Sequence, residues 1–320
     1  MNLLGKATSF NAVGGLVLHI SAIGSFLGAV STSLLFMNYF GVANTVIFNS
    51  ILLSLAAILI MPQRKKIEMV VMFTAITIIA GLSMQQIQHN AGLIHETSYS
   101  TYFIRDNYVL DNKKGKIFII NRSASSFLEH ETLNGFTYIE HIKNIIFNLL
   151  QYHNKDILVL GAGGFSLSAA GDNGNRFTYV DIDSKIKDVV EIHLLNKING
   201  AFVAKDARVF LQQSIHKYDV IVGDTYSHQT SIPAHLATRE FFTLVKNRLN
   251  ANGIAIFNII LDPLLRDRYS IILDNTLRSV FPSCRAMPLQ LADKPVNVLY
   301  ICDNTANNHI FTDDHQQIIF

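Results

Sequence analysis

Three short segments of the chain carry residue types that suit a nucleoside, and each follows a run with strand character. Residues 161–164 read Gly-Ala-Gly-Gly directly after the apolar run 157–160, and glycines at such a turn let the backbone approach a ligand closely. Asp181 ends the second run, about 20 residues further on, where a carboxylate can accept hydrogen bonds from ribose hydroxyls. Asp206 ends the third run and can accept a hydrogen bond from an adenine amino group. The predicted nucleoside-binding residues are Gly161, Gly163, Gly164, Asp181 and Asp206.

Composition and spacing exclude several other ligands. Ser166 replaces the last glycine of a GxGxxG pattern, which weakens the case for a dinucleotide. The net charge of +2 and the lack of a basic stripe argue against nucleic acid as a partner. The 12 histidines show no metal-binding spacing, so no metal site is predicted. One alternative stays open: the glycines and acids could be ordinary turn residues and helix caps.

Alternating strands and helices must position these residues. Strands are predicted at 157–160, 177–180, 201–203, 218–222 and 254–260, and helices at 208–214 and 238–249. Such repeated units favour a doubly wound parallel sheet that binds its ligand at the carboxyl ends of the strands. Upstream, strand-like runs at 102–110 and 116–121 flank a turn at 111–115, and a helix is predicted at 136–151.

The soluble half resembles the spermidine synthases, which are polyamine aminopropyltransferases, and above all their membrane-fused bacterial relatives. The resemblance is carried by ILVLGAGG (157–164), TYVDID (178–183), KDARVFL (205–211) and YDVIVGDTYSHQTSIPAHLATREFF (218–242). Residues 95–99 and 136–140 are similar to the family's N-terminal β-domain and its Tyr-x-Glu motif. The resemblance spans roughly residues 95–300. It implies a Rossmann-like fold of the S-adenosylmethionine-dependent methyltransferase type, preceded by a small β-domain.

The resemblance also implies a transferase reaction and a set of roles. Decarboxylated S-adenosylmethionine, or S-adenosylmethionine itself, would be the co-substrate, and a polyamine or other amine would be the acceptor, with no metal. Asp181 would hold the ribose and Asp206 the adenine. Asp224 would lie between donor and amine as the catalytic base, and Tyr138 would line the amine pocket. Family members commonly form dimers, so a homodimer is an expectation here.

The chain departs from the family pattern wherever the family binds a cationic amine. Ser227 replaces the second acid of the family's Asp-Ser-Ser/Thr-Asp motif, and Gly164 replaces the aspartate of the glycine loop. Ser100 replaces the glutamine of a Tyr-Gln pair. We predict that Ser227 and His228 contact the substrate, with His228 either a base or a hydrogen-bonding loop residue. Two alternatives therefore stay open: an S-adenosylmethionine-dependent methyltransferase, or a non-catalytic membrane protein that binds a nucleoside or polyamine.

The N-terminal part of the chain reads as a membrane anchor. Apolar stretches at 11–40, 41–61 and 67–84 are each close to the ~20 residues that a helix needs to cross a bilayer. The basic loop at 62–66 should be cytoplasmic, and three spans would then place the soluble half outside. S-adenosyl nucleosides are cytosolic, so we expect a cytoplasmic domain on a bacterial inner membrane. A re-entrant or broken element at 11–40 would permit this.

The expected domains are a transmembrane region at 1–88, a β-rich domain at 89–135 and a Rossmann-like domain at 136–320. Cys284 and Cys302 lack a CxxC spacing. We expect both to be free thiols in a reducing compartment.

Overall fold

The computed structural model describes residues 2–60, 64–97, 99–226 and 231–304. The chain divides into two units, Met1–Ser98 and Tyr99–Phe320. The first unit contains the apolar stretches, and the second contains the predicted nucleoside-binding residues.

Long helices make up most of the first unit. They are α1 (Asn2–Ser31), a π-helical turn (Thr32–Phe36), α2 (Met37–Ile60) and α3 (Arg64–Asn90), followed by the short strand β1 (Leu93–Glu96). The suggestion of a break within residues 11–40 is wrong, because these residues are helical. The backbone leaves helical geometry at Gly41, whose φ of 73° suits glycine.

Three segments of these helices are long and apolar enough to cross a membrane: Gly14–Phe36, Tyr39–Leu59 and Ile67–Asn90. Their large side chains are exposed, with Leu53 at 71% and Leu59 at 87%. Exposed apolar surface of this extent is costly in water and suits lipid. The hydroxyls of Thr45 and Ser54 donate to carbonyls four residues earlier, at 2.6 and 2.7 Å, so these polar groups are satisfied inside the helices. The segments are therefore candidate membrane spans.

The second unit begins with an antiparallel meander. Its strands are β2 (Thr101–Leu110), β3 (Lys113–Ile120) and β4 (Ser123–Glu129). Two-residue turns join them, Asp111-Asn112 and Asn121-Arg122, and all four residues have positive φ. Such turns match the right-handed twist of the strands they connect.

The predicted turn at 111–115 is too long. It ends at Asn112, and Gly115 lies inside β3 opposite Glu129. A Cβ at Gly115 would lie 2.3 Å from the Leu128 carbonyl oxygen and 2.7 Å from the Phe127 ring. Glycine is required here by close packing between strands rather than by a turn.

A seven-stranded sheet forms the centre of the second unit. Its strands are β5 (Asp156–Leu160), β6 (Arg176–Asp181), β7 (Ala201–Ala204), β8 (Tyr218–Gly223), β9 (Leu249–Leu261), β10 (Arg285–Pro288) and β11 (Val296–Asp303). They lie in the order β10-β11-β9-β8-β5-β6-β7. The five from β9 to β7 are parallel, whereas β11 and β10 are antiparallel. The predicted parallel α/β sheet is confirmed. The strand predicted at 254–260 begins earlier, at Leu249, and its register with β8 shifts between Tyr218 and Val220.

Helices precede the sheet and lie between most of its consecutive strands. They are α4 (Thr137–Lys143), which continues as a π-helical segment (Asn144–Leu149), α5 (Ile186–His193), α6 (Ala207–Gln213), α7 (Arg239–Asn247) and α8 (Arg268–Arg278). The connection from β5 to β6 differs, because residues 161–175, all described, form turns without a helix. The glycine turn therefore does not lead into a helix N-terminus. Its backbone can come close to a ligand, but it offers no helix N-terminus to bind one.

A core cluster packs against the sheet and fixes the strand ends. Leu158, Val180, Ile221 and Phe257 belong to this cluster, and each is 3% exposed or less. Fully buried apolar runs are expected for the inner strands of a parallel sheet. The predicted strand positions therefore follow from apolarity alone.

Cys284 and Cys302 form a disulfide, so the expectation of two free thiols is wrong. The antiparallel register pairs Arg285 with Ile301, which places Cys284 opposite Cys302. Both residues are buried. Spacing along the chain could not reveal this, because the pairing depends on the β10–β11 hairpin.

Candidate functional site

A cavity of about 1160 Å³ opens at the carboxyl ends of the parallel strands, within the second unit. Its volume exceeds what one nucleoside needs and leaves room for a second small substrate. The predicted residues that line it are Tyr138, Gly161, Gly163, Asp181, Asp206 and Asp224. Ser227 and His228 lie outside the described residues.

Gly161 directly follows β5 and lies against Asp224, the residue that directly follows β8. Its φ is 92°, and a Cβ there would lie 2.2 Å from the carbonyl oxygen of Asp224. The Asp224 amide donates to the carbonyl of Leu160 at 2.9 Å. Both the backbone conformation and the lack of space therefore require glycine.

The other two glycines of the turn differ in their exposure to the cavity. Gly163 lines it, with a φ of 49°. Gly164 is buried beside the meander instead, and its amide donates to the Ser126 hydroxyl at 2.8 Å. A Cβ on Gly164 would lie 2.7 Å from Ser126 and 2.8 Å from Leu194. Gly164 thus fastens the turn to β4, and a larger residue there cannot be accommodated without movement.

Asp181 joins the end of β6 to the glycine turn. Its carboxylate accepts from the amides of Ala162 and Asp183, both at 3.0 Å. Burial raises the pKa of Asp181, although these backbone hydrogen bonds lower it. A carboxylate has about four acceptor positions, so lone pairs remain for ligand hydroxyls.

Tyr102 and Asp183 make a contact that sequence reasoning missed. The Tyr102 hydroxyl donates to the Asp183 carboxylate at 2.6 Å, and both residues are buried. Burial raises the pKa of Tyr102, and so does the neighbouring carboxylate. The bond ties β2 to the sheet beside Asp181. The two residues are 81 positions apart, so no local pattern could signal it.

Asp206 has two roles in the local structure. It caps α6 by accepting from the Val209 amide at 3.0 Å, and it lies 2.9 Å from Nε2 of His235. Burial alone would raise the pKa of Asp206, but the Val209 amide and His235 outweigh it and lower the pKa. His235 also lines the cavity, and sequence reasoning missed it.

Two neutral donors hold Asp224 at the cavity wall. The Tyr138 hydroxyl donates to Oδ2 at 2.9 Å, and the Asn258 amide donates to Oδ1 at 2.8 Å. The Asn297 amide in turn donates to the Asn258 side-chain oxygen at 2.8 Å. Burial raises the pKa of Asp224, and the bonds from Asn258 and Tyr138 oppose this rise. Tyr138 and Asp224, two of the predicted site residues, are in contact, whereas Asn258 and Asn297 were missed.

Tyr226 bonds the backbone of β9 on both sides of Ile259, next to Asn258, which holds Asp224. Its hydroxyl donates to the Asn258 carbonyl at 2.8 Å and accepts from the Ile260 amide at 2.9 Å. Burial raises the pKa of Tyr226 and of Tyr138, and the charge of Asp224 adds to both rises. Both phenols therefore stay protonated near neutral pH and act as donors.

No group of three or more His, Cys, Asp or Glu side chains suited to a metal ion occurs among the residues that the structure describes.

Residues 127–308 match the spermine/spermidine synthase domain family. The chain belongs to this family. The matched range includes the glycine turn and Tyr138, Asp181, Asp206 and Asp224.

Curated relatives carry names from the same family. The chain is 31% identical over 136 residues to a probable polyamine aminopropyl transferase of Bifidobacterium longum, covering 42% of this chain and 28% of the relative. It is 34% identical over 116 residues to a polyamine aminopropyltransferase of Pyrobaculum calidifontis, covering 32% and 40%. The matches thus span less than half of these relatives' length.

A solved structure shares the fold. The crystal structure of a probable spermidine synthase from Corynebacterium glutamicum superimposes with a TM-score of 0.56 at 20% identity, covering 71% of this chain and 83% of the other. The predicted Rossmann-like fold class is therefore confirmed.

Proposed function

We propose that this protein is a membrane-bound aminopropyltransferase of the spermidine-synthase type. The donor would be decarboxylated S-adenosylmethionine, and the acceptor would be a polyamine or a related amine. Asp181 and Asp206 would hold the ribose and the adenine. The observation that carries the proposal is Asp224, a carboxylate with two neutral partners in the wall of the same cavity.

The proposed reaction is an in-line displacement. The lone pair of the acceptor amine forms a bond to the carbon beside the donor sulfonium, and the carbon–sulfur bond breaks. Sulfur takes that electron pair and leaves as the neutral thioether of 5′-methylthioadenosine. The amine loses one proton, which Asp224 accepts. Asp224 and Tyr138 would also orient the amine toward the donor carbon, which increases the rate further.

The environment of Asp224 supports its role as a base. A carboxylate with a raised pKa accepts a proton more readily than an ordinary aspartate, and proton transfer is most efficient when the pKa lies near the working pH. Because the two partners of Asp224 are uncharged, its charge remains available to an incoming ammonium group.

The proposal also divides the chain into a membrane anchor and two further domains. Residues 1–88 would form the anchor in a bacterial inner membrane, residues 89–135 the β-rich domain and residues 136–320 the catalytic domain. The three candidate spans support the anchor. The homodimer stays a prediction.

Replacing Asp224 with Asn should lower kcat by about 10² to 10⁴, because the acceptor amine loses its proton acceptor. Binding of 5′-methylthioadenosine should change by no more than a few-fold, since Asp181 and Asp206 are untouched. Steady-state kinetics and calorimetry on the detergent-purified chain measure both quantities. Asp219→Asn is a control, because Asp219 does not line the cavity. Full activity of Asp224→Asn would refute the assignment of the base.

Replacing Asn258 with Leu should move the acid limb of the kcat–pH profile to higher pH. The Asn258 hydrogen bond lowers the pKa of Asp224, so its loss leaves the pKa higher and the base protonated at a pH where the wild type is active. Asn250→Leu on the same strand should leave the limb in place, since Asn250 bonds Asp219 instead. A shift to lower pH, or none, would count against the role of Asn258.

The catalytic domain is proposed to face the cytoplasm, where its nucleoside substrates are made. Two observations favour the outer side of the membrane instead. The basic residues 64–66 should be cytoplasmic, and one candidate span separates them from the domain. The domain also contains a disulfide, and disulfides persist in oxidising compartments. C-terminal fusions to green fluorescent protein and to alkaline phosphatase decide between them. Fluorescence without phosphatase activity is expected, and the reverse pattern would contradict a cytoplasmic domain.

A further inference from the structure

The wall of the cavity carries positive charge that an acceptor with amine groups alone would not need. Arg122 and Lys294 both line the cavity, together with Gln290 and Asn297. Among the described lining residues the acids are Asp181, Asp206 and Asp224, and the first two are assigned above to the nucleoside. One lining carboxylate, Asp224, is therefore left for an acceptor amine, in a cavity whose wall also carries these two cationic side chains.

Lys294 lies close in sequence to Asn297, the last residue of a hydrogen-bond chain that begins at Asp224. Asn258 donates to Asp224, and Asn297 donates to Asn258. Lys294 precedes Asn297 by three residues in the connection from β10 to β11. The nucleoside acids Asp181 and Asp206 belong instead to β6 and the start of α6.

The loop that carries Lys294 is held at both ends. Asp293 accepts from the Arg266 guanidinium at 2.8 Å, and the Leu289 amide donates to the Asn297 carbonyl at 3.0 Å. Pro295 follows directly, and a residue before proline is restricted to extended backbone conformations. The backbone at Lys294 is thus restricted, while its side chain is exposed and makes no ion pair within the described part of the chain.

Arg122 approaches the cavity from the meander. It is the second residue of the β3–β4 turn, with a φ of 69°, and its side chain is exposed. The turn is fastened by Asn121, whose side-chain oxygen accepts from the Thr101 amide at 2.8 Å. Arg122 and Lys294 therefore come from different elements and line one cavity. A planar guanidinium and an ammonium are both suited to binding a carboxylate.

We propose that Lys294 binds a carboxylate carried by a substrate, so that the acceptor amine belongs to an amino-acid-like molecule; Arg122 lines the same cavity. The inference rests on the proposed function for the transfer step, and it replaces a simple diamine by an amine with an acidic group. The amine lies at Asp224 and the carboxylate at Lys294. A carboxylate on the donor would meet the same cations, and the experiment separates these two sources.

Calorimetry on the full chain in detergent tests the proposal with pairs of ligands that differ by one carboxylate. The acceptor arm compares ornithine with 1,4-diaminobutane and lysine with 1,5-diaminopentane, each at saturating 5′-methylthioadenosine. The donor arm compares S-adenosylmethionine with its decarboxylated form. We expect at least tenfold tighter binding of the carboxylated member in the acceptor arm. The same preference found in the donor arm alone assigns the carboxylate to the donor and overturns the amino-acid-like acceptor.

Variants of Lys294 identify the group responsible. Lys294→Glu should weaken binding of the carboxylated ligand at least tenfold and leave the diamine unchanged or tighter, and Lys294→Gln should give an intermediate loss. Lys197→Ala is a matched control, because Lys197 is exposed and does not line the cavity. Equal losses for both members of a pair, or a preference for the carboxyl-free ligands in both arms, would overturn the proposal. Calorimetry measures binding without turnover. A protein that prefers the carboxylated acceptor but has no activity would therefore refute aminopropyl transfer and leave the carboxylate site standing.

Discussion

The close approach of two parallel strands is the constraint on which the rest of the site depends. At Gly161 the end of β5 comes so near to β8 that no side chain fits between them. The backbone is fixed on both sides, because the Gly161 amide donates to the Val180 carbonyl and the Asp224 amide donates to that of Leu160, each at 2.9 Å. The acidic residues at the ends of β6 and β8 consequently face one cavity. Spreading the strands would separate the proposed nucleoside acids from the proposed base.

The three carboxylates of the cavity have different hydrogen-bond partners, and this supports different roles for them in nucleoside binding and proton transfer. Asp181 is held by backbone amides, and Asp206 by the start of a helix and His235. Such partners favour the charged form and suit fixed recognition of hydroxyl and amino groups. Asp224 is held by the neutral side chains of Tyr138 and Asn258, and burial raises its pKa as it raises that of Asp181. That environment suits a group that takes up a proton and releases it again.

The sequence indicated the parallel sheet and most of the cavity-lining residues because these depend on local signals. Apolar runs define buried strands, and residues at strand ends point to the same edge of a sheet. It missed the contacts that join distant segments: the Tyr102–Asp183 bond, Asn258 beside Asp224 and His235 beside Asp206. The Cys284–Cys302 pair was misjudged for the same reason. Gly164 shows the converse, since its position in the glycine turn suggested ligand contact while its amide bonds Ser126.

The central claim is that this cavity holds an S-adenosyl-type nucleoside, and binding of 5′-methylthioadenosine to the full chain tests it most directly. Calorimetry should detect binding that weakens at least tenfold in Asp181→Ala and is unchanged in Asp188→Ala, an exposed acid of α5 outside the cavity. Equal binding by both variants would place the nucleoside elsewhere. An absence of binding to the wild-type chain would contradict the account as a whole.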